Sequence, residues 1–360
     1  MKNLSSGVLL SLLTALLILS LFFWSRVAWD GTMPGHKSAV IFFTSSSASE
    51  FRSLVKKYEE RLPQEIPIDV VEDYYERIGP EVMLNILDEN PFCHEQGHTL
   101  GRVIFERTGD FEKAMDICGL HCGQGCFHGI ITAMLNNQTD DIHKITSENS
   151  SDFKNFVLDF CSIAESSNQV SRGTCYHGLG HAFMILANDN LSAAIEACTS
   201  FSEFWDGFYC AGGVYMQYYM DFGSDGQPYP CLESPYPAAC FRYKFTYTHR
   251  SPLLLTKQMQ TCMNLTRSYQ LACLYGVGHG YENFVRSGAI DIHDLCAGDK
   301  EQVQMCLDGV IISVSFYDKQ KAISLCAEVD EDYREYCMND TNILDHPLNR
   351  SSRNYAITEN

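Results

Sequence analysis

Positive charge is scarce in this chain: 26 Lys and Arg stand against 45 Asp and Glu, a formal net charge of −19. So acidic a surface repels phosphate backbones, which excludes nucleic acid as a partner. The sequence holds no G-x-x-x-x-G-K-[ST] loop and no dinucleotide fingerprint, so no nucleotide cofactor is indicated. It has no G-x-S-x-G elbow, and CGLHCGQGCFH lacks the C-x-x-C-H spacing of covalent haem. Cysteine is missing from the first 90 residues, and long apolar runs are missing everywhere but at the N-terminus.

That one run, Gly7 to Trp24, would span roughly 27 Å as a helix at ~1.5 Å per residue, close to the ~30 Å hydrocarbon core of a bilayer. It is longer than a usual signal-peptide core, and Val27-Ala28 is a poor cleavage site. An uncleaved single-pass anchor is expected over 1–25, making the membrane a partner, with a cleaved signal segment as the alternative. After it, 16 cysteines argue for an oxidising compartment, so the C-terminal domain is expected to be extracellular, periplasmic or lumenal. Asn-x-Ser/Thr sites at Asn137, Asn149, Asn190, Asn264, Asn339 and Asn349 fit an exported glycoprotein. With 45% hydrophobic and 20% charged residues, the remainder reads as globular.

The cysteines fall into two alternating classes. One ends a short amphipathic stretch: Cys118, Cys161, Cys198, Cys262, Cys296 and Cys326. The other opens the next stretch, usually as Cys-x-x-Gly: Cys126, Cys175, Cys210, Cys273 and Cys306, with Cys337 in a degenerate last unit. Cys161 to Cys198, Cys262 to Cys296 and Cys296 to Cys326 are 37, 34 and 30 residues apart, the period of helix-turn-helix repeats. The spacing therefore predicts an all-α domain of repeated helix pairs, an α-solenoid or α/α ring, each pair stapled by a disulfide. Six bonds are implied: Cys118–Cys126, Cys161–Cys175, Cys198–Cys210, Cys262–Cys273, Cys296–Cys306 and Cys326–Cys337. Cys231–Cys240 is then a local pair, and Cys93–Cys122 the eighth. The expected division is an anchor at 1–25, a membrane-proximal linker and helices at 26–90, the repeat domain at 91–345 with an insertion at 222–248, and a tail at 346–360. Ser-rich Thr44 to Ser49 reads as linker. The period and cysteine placement over Phe111 to Cys337 resemble cysteine-rich proteins of the tetratricopeptide type, a resemblance that implies architecture and no activity.

Histidines recur on this frame. His128 and His177 lie two residues after a second-class cysteine, and His181 and His279 lie six after one. PFCHEQGH repeats the form with His94 and His98, so HEQGH is paired with HGLGH and with YGVGH. Residues four apart share a helix face, and two imidazoles so spaced can hold one ion. His94, His98, His128, His177, His181 and His279 are the candidate metal ligands, for zinc, copper or iron. The glycine before the second histidine allows close packing or room for a ligand.

His94-Glu95-Gln96-Gly97-His98 also matches H-E-x-x-H, in which the glutamate activates a metal-bound water. HEQGHTLG is similar to the first part of the metzincin peptidase motif, which implies Glu95 as catalytic base. The third histidine of that motif would fall at position 104, which is Ile104. The function expected is metal binding, with metalloenzyme chemistry, oxidative or hydrolytic, one possibility. The alternatives are a non-catalytic repeat scaffold that binds a protein or glycan, and a zinc peptidase.

Overall fold

The computed structural model describes residues 37–59, 66–90, 93–119, 121–138, 160–161, 171–248, 252–341 and 355. Among them are 17 α-helices, two 3-10 turns and no strand. The chain forms two units, residues 1–50 and 51–360. Helix α1 (Lys37–Glu59) runs across that boundary, and the other described helices belong to the second unit. The apolar run at Gly7–Trp24 lies outside the described residues; no described helix is long and apolar enough to cross a membrane. Thr44 to Ser49, expected as linker, sits inside α1. Serine costs only a few tenths of a kcal/mol in a helix, too little to break one here.

The helices are of two kinds. Seven form a single row: α4 (His94–Thr108), α6 (Gly125–Gln138), α7 (Arg172–Leu186), α9 (Phe204–Phe222), α10 (Pro237–Tyr247), α12 (Arg267–Gly280) and α15 (Lys300–Tyr317), each packed on the next. Others flank the row: α5 (Phe111–Cys118), α8 (Leu191–Thr199), α11 (Pro252–Met263), α13 (Glu282–Arg286), α14 (Ile292–Leu295), α16 (Lys319–Glu328) and α17 (Glu331–Asp340). Helices α2 (Ile68–Ile78) and α3 (Pro80–Leu87) pack against α4. Local signals set the boundaries: Asp110, Ser171 and Asn190 cap the next helices with their side chains, and Asp299 forms a capping box with Gln302.

Six disulfides pair as the alternation predicts, the local pair Cys231–Cys240 and the remaining Cys93–Cys122 form as expected, and no cysteine is free. Closing loops of 8 to 14 residues is worth ~2–3 kcal/mol each in the chain-entropy account. Two expectations are corrected. Not every second-class cysteine opens its helix: Cys126 does, at the start of the helix Gly125–Gln138, but Cys210, Cys273 and Cys306 each sit nearly two turns in, because the caps lie upstream of them. The segment 222–248 is not merely an insertion, since its second half is α10, a full member of the row stapled by Cys231–Cys240.

Glycines bring the row's backbones into contact. A Cβ on Gly180 of α7 would stand 2.0 Å from the Cys210 carbonyl of α9, and one on Gly213 of α9 would stand 1.9 Å from the His177 carbonyl of α7. The same reciprocal contact joins α4 to α6 (Gly101 to Cys126, Gly129 to His98) and α12 to α15 (Gly278 to Cys306, Gly309 to Tyr275). Only a residue without a side chain fits there. The Cys-x-x-Gly glycines Gly129, Gly213 and Gly309 are thus packing residues, and their partners Gly101, Gly180 and Gly278 fix the true register. His98-Thr-Leu-Gly101, His177-Gly-Leu-Gly180 and Tyr275-Gly-Val-Gly278 are equivalent. HEQGH is therefore not the counterpart of HGLGH; His94 stands one turn earlier, where the other pairs carry Gly173 and Leu271.

The row also bends back on itself. The Tyr247 hydroxyl at the end of α10 donates to Glu95 of α4 at 2.7 Å. A Cβ on Gly123 would meet the Phe316 ring of α15 at 2.9 Å.

Candidate metal centre

Four histidines from three helices of the row meet at one point. His94 from α4, His128 from α6, and His177 and His181 from α7 each offer a ring nitrogen, and the four nitrogens lie within 4.8 Å of one another. His128 Nδ1 is 3.2 Å from His94 Nε2, and His177 Nε2 is 3.2 Å from His181 Nε2. A tetrahedral ion with bonds of about 2.0–2.1 Å sets its ligand nitrogens roughly 3.3–3.4 Å apart. The two spacings come close to the edges of such a tetrahedron.

The surroundings fix how two of the rings point. His94 Nδ1 is 3.0 Å from the Gly123 carbonyl, which can only accept, so Nδ1 carries the hydrogen and Nε2 keeps its lone pair. His181 Nδ1 is 3.0 Å from Gln217 Oε1, while the Gln217 amide donates to Asp221 at 2.9 Å. That chain orients Gln217 and leaves His181 Nε2 as a lone pair facing His177. Such partners raise ligand basicity and hold ring orientation in metal sites. His128 Nε2 is buried and makes no hydrogen bond, an arrangement that costs roughly 1–3 kcal/mol unless something else satisfies the ring.

Burial pushes His98, His128 and His177 well below the ordinary imidazole value, and it lowers His94 against the opposing pull of Glu95. These rings are therefore neutral at pH 7, the state in which imidazole binds metal.

The other candidates stand outside this convergence. The ring of His98 packs 4.8 Å from that of His94 and 4.4 Å from that of His181, but it is not among the four converging nitrogens. His279 is set apart: its Nδ1 pairs with Thr246 Oγ1 at 3.0 Å, and Tyr243 lies between it and His177. Glu95 is buried beside His94 but turned toward Tyr247. Asp88, Cys93 and Cys122 also lie close together. Their sulfurs are bonded to each other, however, and a thiolate is what a metal needs.

Sequence reasoning missed Gly123, Gln217 and Asp221. A backbone carbonyl carries no signature in the sequence. Gln217 and Asp221 left a faint one, two polar residues four apart within the aromatic helix FWDGFYCAGGVYMQYYMDF.

No family model, curated protein or solved structure matches the chain. The tetratricopeptide likeness thus stands as a cysteine-rich, all-helical architecture, and the partial metzincin likeness gains no relative to support it.

Proposed function

We propose that the protein is an exported, membrane-anchored metal-binding protein whose centre is formed by His94, His128, His177 and His181, with His98 beside it as a further donor. The convergence of four ring nitrogens, two pairs of them at near-tetrahedral spacing, carries the reading. An all-imidazole set suits zinc, copper, iron or nickel and disfavours calcium and magnesium, which prefer oxygen. A buried dication among neutral ligands needs negative charge nearby. Glu95 beside His94 and Asp221 behind Gln217 supply it. Eight disulfides favour an oxidising compartment, and the apolar run at Gly7–Trp24 is the proposed tether.

Metal analysis of the purified chain tests this reading. One or two ions per chain are expected, and substituting His177 and His181 together by Ala should abolish them with the helical content intact. A metal-free wild-type chain that is fully folded would leave only the scaffold, binding a protein or glycan through its repeat surface. Glu95→Gln separates binding from hydrolysis: retained metal with lost peptidase activity would make Glu95 a catalytic base. The hydrogen bond from Tyr247 favours instead a carboxylate that balances charge and ties α4 to α10.

A further inference from the structure

One disulfide stands outside the repeat pattern. Seven bonds tie paired elements of the repeat to each other: α5 to α6, the segment holding Cys161 to α7, α8 to α9, a 3-10 turn to α10, α11 to α12, the end of α14 to α15, and α16 to α17. Cys93–Cys122 does something else. Cys93 is the residue immediately before His94, and Cys122 immediately precedes Gly123, whose carbonyl holds His94 Nδ1. The bond therefore clamps both sides of one metal ligand: the backbone that carries its ring and the acceptor that orients it.

The clamped loop is strained. Cys122, Gly123 and Gln124 have successive φ values of 52°, 54° and 70°, so two residues with side chains lie in the left-handed region. There the Cβ crowds the following carbonyl, and such a conformation persists only where its surroundings enforce it. Here the enforcement is visible. Asp88 accepts the Cys122 N–H at 2.7 Å and pairs with His121 through its other oxygen, and the disulfide completes the hold. None of the other seven bonds has a cysteine with positive φ.

We propose that Cys93–Cys122 is a redox-sensitive positioning bond for the metal centre, so that its reduction releases the Gly123 carbonyl from His94 and weakens metal binding. This rests on the metal-binding reading of the four histidines. The chemistry is two-electron thiol–disulfide exchange. A dithiol attacks the Cys93–Cys122 bond, gives up two electrons and two protons, and leaves as its own disulfide; the protein gains two thiols. The strain in the loop is then free to relax, and the left-handed run has no bond to hold it. Loss of an orienting partner of a metal-bound histidine lowers affinity by roughly 10–100-fold.

The test measures Zn²⁺ affinity of the full-length chain by competition with a chelating indicator, for wild type, for Cys93→Ser/Cys122→Ser, and for Cys296→Ser/Cys306→Ser as a staple control. The first variant should bind roughly 10–100-fold more weakly, with helical circular dichroism retained and the control within about twofold of wild type. Equal weakening in both variants, or none in the first, overturns the proposal and leaves the metal reading standing. A wild type that binds no Zn²⁺ sinks the metal reading and this inference together. Stepwise reduction of the wild type with dithiothreitol, followed by alkylation and peptide mapping, does not depend on the variants folding. Cys93 and Cys122 should be labelled first, in step with Zn²⁺ release; labelling of another pair first, with the metal released then, would refute the assignment.

Discussion

The first two tight helix pairs of the row and the third share a backbone but not a chemistry. In α4/α6, α7/α9 and α12/α15 the same reciprocal glycine contacts join the helices, and a cysteine holds the same place in each second helix. At the positions between, the residues diverge. Where the first two pairs have His98 and His177, the third has Tyr275; where the first has His128, the second has Gly212 and the third Asp308. Asp308 is fully buried and accepts from Tyr355, whose ring packs on Trp205, Phe208 and Tyr275. One equivalent position thus serves a metal candidate in one place and holds Tyr355 in another. Packing is set by Gly and Cys, and function by the residues they leave free.

That separation breaks most visibly on exchanging residues at one equivalent position. His128→Gly gives the first pair the residue of the second. It removes a donor and should cut Zn²⁺ affinity roughly 100-fold or more, about 2.8 kcal/mol. Asp308→Gly, the same change in the third pair, should leave metal affinity as in wild type. Each variant also carries the ~1 kcal/mol cost of glycine within a helix, so that cost cancels in the comparison. Equal loss of metal in both would show that the pairs are not chemically distinct.

The shared backbone is tested by glycine. Gly213→Ala and Gly309→Ala each drive a Cβ into a carbonyl oxygen, 1.9 Å away in one pair and 2.1 Å in the other. Neither atom is a flexible side-chain end, so the helices must part. Both should lose about 2 kcal/mol or more of stability in denaturant titrations, despite the better helix propensity of alanine. Only Gly213→Ala should also weaken metal binding, because the carbonyl it displaces belongs to His177.

The third pair has its own pH signature. Burial pushes Asp308 up to about 8, against the hydrogen bonds from Tyr355 and Tyr336 that pull it down. An unfolded Asp titrates near 3.9. Between those values folding takes up a proton, so stability is full below about pH 4 and falls as pH rises toward 8. The decline should approach about 1.4 kcal/mol per pH unit from this group. Asp308→Asn keeps an acceptor for the tyrosines and should flatten that part of the curve between pH 5 and 7. A wild-type curve no steeper than the variant's would count against a protonated Asp308.

Much of this architecture is legible in the sequence. The alternation of Cys118, Cys126, Cys161 and their successors yields the bonds, because a repeat leaves each cysteine one plausible neighbour. The candidates His94, His128, His177 and His181 are visible there as well. The register is not, because HEQGH and HGLGH match as strings, whereas the contacts align Gly101 with Gly180. Identity of side chains misleads where close approach of backbones decides. His279 is different: it is the counterpart of His181 in this register, yet its Nδ1 pairs with Thr246 and it is not among the four converging nitrogens.

The smallest effect concerns the residue that the sequence hides best. Gln217 touches no metal candidate except through His181, and its own amide is tied to Asp221. If it sets the tautomer of His181, then Gln217→Ala should weaken Zn²⁺ binding by about 10-fold while leaving stoichiometry unchanged. Gln217→Glu sharpens the point. A carboxylate still accepts from His181 Nδ1 and should preserve affinity better than alanine, although it can no longer donate to Asp221 and instead repels it. Were Ala and Glu equally weak, packing rather than the hydrogen bond would be the residue's contribution. Were both as tight as wild type, His181 would be oriented by its own helix, and the second pair would need no partner of the kind that Gly123 supplies to the first.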